Sequence, residues 1–198
     1  MKKWVWYVLG AVIGAIAIGG VLYGVLTHKE AGLLQVCWKG GVANYSGDCK
    51  ELTWKKDQLP LKYYIDFGPD HKVYVDSVIK GADLWNKEIG TQLFMRVHNK
   101  ADATIHVSWG SYDGGNDCVA GYVQHKGDGG PQSADLVLKN PSDVHAVYVF
   151  AAHEWGHVIG LAHDDHAVMK ATHPDVTDQM KFVLPSDHDK KLLRELYR

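Results

Sequence analysis

The feature that most restricts this chain is a set of ligand-type side chains at fixed spacing: His153, Glu154, His157, Gly160 and His163, with Met169 six residues further on. On a helix, residues i and i+4 share one face, so His153 and His157 can hold one ion from consecutive turns. Glu154 is rotated off that pair, which puts a carboxylate near the ion's open position without making it a ligand. A straight helix would carry His163 away from the same ion. Gly160 supplies the left-handed conformation that ends a helix and turns the chain back. Three neutral imidazoles with one open position describe a catalytic zinc, Zn2+, whereas structural zinc is closed by four protein ligands and is usually rich in cysteine. A buried helix with three core histidines is the bland reading. Ligand spacing three times over, beside a carboxylate, argues against it.

The amino terminus carries the second constraint. Met1, Lys2 and Lys3 precede an uncharged run over 4–26, in a chain of 198 residues that is 46% hydrophobic. As a helix this run would extend roughly 30 Å or more, enough for a bilayer core. Trp4, Trp6, Tyr7 and Tyr23 lie near its ends, where amphipathic rings favour the interface. Gly10/Gly14 and Gly20/Gly24 form G-x-x-x-G pairs, read as ordinary glycine content rather than a helix-pairing face. A cleaved signal peptide is the rival, with Ala17-Ile18-Gly19 as its cleavage site, but the apolar run continues past that point. The expected organisation is a cytoplasmic tip (1–3), a transmembrane signal anchor (4–26), a tether (27–52) and a folded domain (53–198), the last two exported.

Without Lys2 and Lys3, the exported part has 19 Lys+Arg against 23 Asp+Glu, a net charge of −4 with histidine neutral. That argues against nucleic acid as a partner. An exported domain permits disulfides. Cys37 and Cys49 bracket a glycine-containing loop and are the preferred pair, with either bonding Cys118 as the alternative.

The tether shows no clear periodicity. Residues 61–67 read as a strand ended by Gly68-Pro69-Asp70. Val75, Val78, Ile79, Ala82, Trp85 and Ile89 recur at helical spacing, and Gly90 stops the helix. Residues 93–97 are a strand. Residues 103–109 alternate, with Ile105, Val107 and Trp109 on one face, and His106 falls on the other, as a surface residue rather than a ligand. Asp113, Asn116 and Asp117 carry oxygens of the kind calcium takes (Ca2+), although a plain glycine-rich turn is the simpler reading. Residues 119–124 and 134–138 are two more strands. Asn140-Pro141 caps and opens the helix that bears the ligands. Gly156 inside it costs about 1 kcal/mol relative to alanine, which predicts close packing there. Ser186 with Asp189 caps a last helix bearing Leu192, Leu193 and Leu196. His166 is read as a loop residue in solvent.

The pattern His-Glu-x-x-His-x-x-Gly-x-x-His with a following Met-turn resembles that of the metzincin metalloproteases. The likeness extends to the Val-x-x-Val-Ile-x-x-Ala-x-x-Trp helix, the Ala-Asp-Ala-Thr-Ile strand, Val149-Phe150-Ala151-Ala152 and Leu184-Pro185-Ser186-Asp187, which look like matrixins over about 53–198. The resemblance implies an α+β zincin: a twisted mixed sheet with two main helices above a cleft, and a small carboxy-terminal subdomain with a terminal helix. It also implies His153, His157 and His163 as zinc ligands, Glu154 as catalytic base and Met169 as the Met-turn. The expected activity is that of a membrane-anchored zinc endopeptidase acting on a protein or peptide laid along an edge strand near 119–124. The alternatives are a zinc-bearing binding or adaptor domain without turnover, and a membrane interaction protein whose soluble domain is only a scaffold. The chain departs from matrixins in several places. Asp164 follows the third histidine, as in adamalysin-like proteases. The link to Met169 is short, and Met169-Lys170-Ala171 lacks the tyrosine-proline continuation. Residues 110–135 lack the His-rich structural zinc loop, and nothing around Cys37 or Cys49 matches the propeptide cysteine motif.

Overall fold

The structure, a computed structural model, describes residues 32–39, 41–44, 49–110, 121–139, 144–164, 167–170 and 184–198. In chain order these form β1 (Gln35–Lys39), β2 (Val42–Asn44), β3 (Lys50–Glu51), β4 (Leu61–Asp66), α1 (Val75–Ile89), β5 (Phe94–Arg96), β6 (Ile105–Trp109), β7 (Gly121–Lys126), β8 (Ser133–Leu138), α2 (Val144–Val158) and α3 (Asp187–Tyr197). The expected anchor at 4–26, the loop over 113–117, Cys118, the Asn140-Pro141 helix start and His166 lie outside the described residues. Among the described residues no helix is long and apolar enough to cross a membrane.

Alternation in β4 and β6 puts Leu61, Tyr63, Ile105 and Val107 in the core. The pairs β4–β5, β4–β6 and β6–β8 are parallel, so each needs a crossover, and α1 supplies the one between β4 and β5. β7 runs antiparallel to β8, which makes the sheet mixed, in the order β3-β1-β2-β7-β8-β6-β4-β5. α1 ends at Gly90, whose φ of 75° is left-handed. α1 and α2 pack together through two buried indoles. Trp85 Nε1 donates to the Ala152 carbonyl at 2.8 Å, and Trp155 Nε1 donates to the Val78 carbonyl at 3.1 Å. The Trp155 ring also packs on Tyr63 and Phe94, with centroids 4.9 and 4.6 Å away, fastening α2 to β4 and β5. Truncating such a side chain costs about 3–5 kcal/mol. α3 opens as predicted: Ser186 Oγ accepts from the Asp189 amide and Asp189 Oδ2 accepts from the Ser186 amide, both at 3.0 Å.

The stretch 27–52 is not a loose tether in its described part. β1 pairs antiparallel with β2 and with β3, and Val36, Ala43 and Leu52 are core residues. Cys37 and Cys49 are joined by a disulfide, with Cα atoms 4.9 Å apart. The sequence hides these strands because they are two to five residues long, too short for alternation to register against the glycines between them. β7 also differs from expectation. Instead of an open sheet edge it has β2 beyond it, paired at Val42↔Lys126. Trp109, expected on the buried face of β6, is half-buried and stacks on His71 and Tyr74, with centroids 4.4 and 5.1 Å away. His106 lies on the sheet surface, its Nδ1 3.9 Å from Asp135.

Candidate metal centre

α2 delivers His153 and His157 from successive turns, with ring centroids 4.6 Å apart. Gly156, between them, packs where the sequence predicts close contact: a Cβ there would collide with Met169 Sδ and lie 2.9 Å from Trp85. The helix then ends. Gly160 takes a φ of 106°, and a side chain there would run into the Leu52 carbonyl oxygen. The Leu161 amide donates back to the Gly156 carbonyl at 2.9 Å. This reversal brings His163 up beside the other two imidazoles. The three Nε2 atoms lie 3.0 Å (His153–His157), 3.0 Å (His157–His163) and 3.2 Å (His153–His163) apart.

The Nδ1 atoms decide what those nitrogens can do. His153 Nδ1 donates to the Val168 carbonyl at 2.7 Å, and His157 Nδ1 donates to the Leu161 carbonyl at 2.8 Å. A neutral imidazole with its proton on Nδ1 presents a lone pair at Nε2. For His153 and His157, then, lone pairs face each other at close range, an arrangement a cation relieves. Burial first, then the neighbouring His153 and His163, hold His157 well below its ordinary pKa, so it stays neutral. Neutrality is what a metal requires of an imidazole. Zinc–nitrogen bonds of about 2.0–2.1 Å in a tetrahedron set ligand nitrogens roughly 3.3–3.4 Å apart, close to the spacing here. The three histidines thus form a group that can hold a metal ion.

Glu154 is buried against the start of β7, where a Cβ on Gly121 would lie 3.1 Å from its Cγ and Oε1. Its Oε2 has no hydrogen-bond partner among the described residues. Burial pushes its pKa up to about 8, and a dication nearby would favour the ionised form again. A buried carboxylate oxygen with no partner among the described residues, on the residue after His153, fits a site that also takes water. Met169 is fully buried beneath α2, and the Asp164 amide donates to the Met169 carbonyl at 3.0 Å, closing the short loop after His163.

A family model described as matrixin matches residues 53–198. The chain belongs to the matrixin family. Matrix metalloproteinase-18 of Xenopus laevis is 30% identical over 175 residues, covering 81% of this chain and 37% of the relative. Matrix metalloproteinase-20 of Homo sapiens is 31% identical over 175 residues, covering 81% of this chain and 35% of the relative. The chain therefore spans about a third of the length of these two relatives.

In this matrixin His153, His157 and His163 converge, and Met169 packs against Gly156 between the first two. The groups that fix the end of the ligand helix lie elsewhere in the chain. Trp54 Nε1 and His125 Nε2 both donate to the Val158 carbonyl, at 2.8 and 3.0 Å, and Tyr197 Oη donates to the Ile159 carbonyl at 3.2 Å. Burial lowers the pKa of His125 to about 4, so it is a neutral donor. No local signal marks these residues, since each acts on a segment remote in sequence.

Proposed function

We propose that this chain is a zinc endopeptidase, anchored in a membrane by residues 4–26, with its folded part on the extracytoplasmic side. The observation that carries the catalytic reading is the convergence of three Nε2 atoms within 3.2 Å, with the buried carboxylate of Glu154, next in sequence to His153, keeping an Oε2 that has no hydrogen-bond partner among the described residues. His153, His157 and His163 would hold the zinc. When bound, zinc supplies Lewis acidity that lowers the pKa of water to about 7 and polarises a peptide carbonyl. Glu154 takes the proton from the attacking water and passes it to the leaving amine. Its burial keeps bulk water from competing for that proton. The substrate lies extended along the Gly121 end of β7, adding backbone hydrogen bonds as an extra strand. In this reading β2 covers only the far end of β7, at Lys126, and the Gly121 end lies against Glu154. The anchor rests on the length and aromatic borders of the apolar run 4–26.

The test separates enzyme from binding module. Glu154→Ala keeps all three imidazoles, so bound zinc and thermal melting should match wild type. Hydrolysis of a mixed peptide library should fall by about 10²–10⁴-fold, the usual contribution of a general base. Equal cleavage by the two proteins would mean that the activity comes from another site. A wild-type chain that binds zinc and cleaves nothing in the library would favour the binding module.

A further inference from the structure

The carbonyls at and just beyond the end of a helix have no intrahelical partner, and here those of 158–161 lie on the turn that must place His163. Four successive carbonyls are each claimed from elsewhere. Val158 accepts from Trp54 and His125, Ile159 from Tyr197, Gly160 from the Leu34 amide at 2.7 Å, and Leu161 from His157 Nδ1. One of these donors, Leu34, precedes the matrixin match at 53. Residues 32–34 lie alongside the turn as a strand would. The Ala162 amide donates to the Gly32 carbonyl at 2.9 Å, Leu33 bridges Leu161 in antiparallel fashion, and the Leu34 carbonyl accepts from the Leu52 amide at 2.7 Å. The bonded backbone thus runs from Leu52 through 32–34 to 160–162, stopping one residue short of His163. On its other side the segment continues into β1, where the Cys37–Cys49 disulfide closes the hairpin. β2 ties that hairpin to β7 through Val42↔Lys126, and the Gly127 amide donates to the Gly41 carbonyl at 3.0 Å.

We infer that residues 32–34, with β1, β2 and β3 behind them, are a positioning element of the metal centre, whose task is to hold His163 at ligand distance from His153 and His157. The inference rests on the metal-centre reading above. The helix presents His153 and His157 together, and the Val168 and Leu161 carbonyls orient their rings. His163 hangs on a turn whose peptide groups would otherwise be held by water, and a mobile turn would not keep an imidazole within 3.2 Å of two others. Outer partners of metal ligands typically account for about 10–100-fold in metal affinity. Leu34 acts one step further out, on the peptide that leads to the ligand.

The test uses the full chain and zinc itself. Leu34→Pro removes the amide that donates to the Gly160 carbonyl and leaves every ligand in place. Zinc release into excess chelator should speed up on the order of tenfold, and the visible spectrum of the cobalt-substituted protein should change as the third nitrogen moves. Leu93→Ala is the control, since it opens a cavity beside β5, at the opposite edge of the sheet from β1 and β3. It should lower the melting temperature while leaving zinc release and the cobalt spectrum as in wild type. Two results would overturn the inference: Leu34→Pro releasing zinc as slowly as wild type, or Leu93→Ala releasing it as fast as Leu34→Pro. If Leu34→Pro shows no cooperative melting, Cys37→Ser/Cys49→Ser is read in its place, with the same two outcomes. A wild-type chain that holds no zinc at all would overturn the metal-centre reading itself, and this inference with it.

Discussion

Two of the three imidazoles arrive on a helix and the third arrives on a turn, and the two regions are held by different means. Around His153 and His157 the backbone bonds are local, and Trp155 fastens the helix to the sheet through Tyr63 and Phe94. Along the turn that leads to His163 the bonds are remote: Gly160 accepts from the Leu34 amide, the Ala162 amide donates to Gly32, and Tyr197 reaches Ile159 across 38 residues. The helical pair is a property of one element. The third position is a property of the assembled chain. A site of this kind is only as well formed as its least local member.

The comparison can be tested at its strongest point by removing one ligand from each side. His157→Ala and His163→Ala should both strip the centre, with zinc content after dialysis falling far below one per chain and hydrolysis lost with it. The fold should survive both. If His163→Ala keeps its full zinc by metal analysis, the turn does not supply the third ligand.

Acid loosens the junction between the two regions. His125 is fully buried and its folded pKa is about 4, against 6.5 when exposed. Because the folded pKa lies below the unfolded one, the unfolded chain binds the extra proton first. The contribution is complete above pH 6.5 and is lost as pH falls from 6.5 towards 4, by roughly 2–3 kcal/mol. Urea unfolding across that window should show the loss. His125→Gln can still donate to Val158 without titrating, so its profile should be flatter by that amount. An identical slope in the two proteins would remove His125 from the account.

Two glycines sharpen the contrast at smaller cost. Gly156→Ala drives a methyl group into Met169 and Trp85, an overpacking worth about 1–3 kcal/mol. It should lower the melting temperature while the helical ligands keep their spacing. Gly160→Ala meets both a left-handed φ and the Leu52 carbonyl, for a penalty also of about 1–3 kcal/mol. It should speed zinc release as well, because it displaces the turn. Equal zinc release from the two variants would erase the distinction between helix and turn.

The same contrast explains what could be read in advance. β4, α1 and β6 were legible because each is long enough for its period to show, as with Leu61 and Tyr63 or Val78, Ala82 and Trp85. The three histidines were legible as a group because metal chemistry fixes residue type and spacing together. Residues 32–52 were not, since their strands are short and Leu33, Val36, Ala43 and Leu52 bury themselves without a regular interval. Nor could β2 be foreseen beyond β7, because pairing between distant strands leaves no mark in either one. Trp54 and His125 look like ordinary aromatic residues until the helix end they serve is folded against them.

The bonds at the helix end also set a schedule. A chain is made from its amino terminus at about 5–20 residues per second. Residues 32–54 are made before the segment they bind and must wait for it. Trp54 and Tyr197, whose amide and hydroxyl meet at 3.2 Å, are 143 residues apart. Their joining therefore lags the synthesis of Trp54 by roughly ten seconds or more. The centre is therefore completed only after Tyr197 has been made, and on the proposed function a chain interrupted before that point would have no hydrolytic power to turn on itself or on its neighbours.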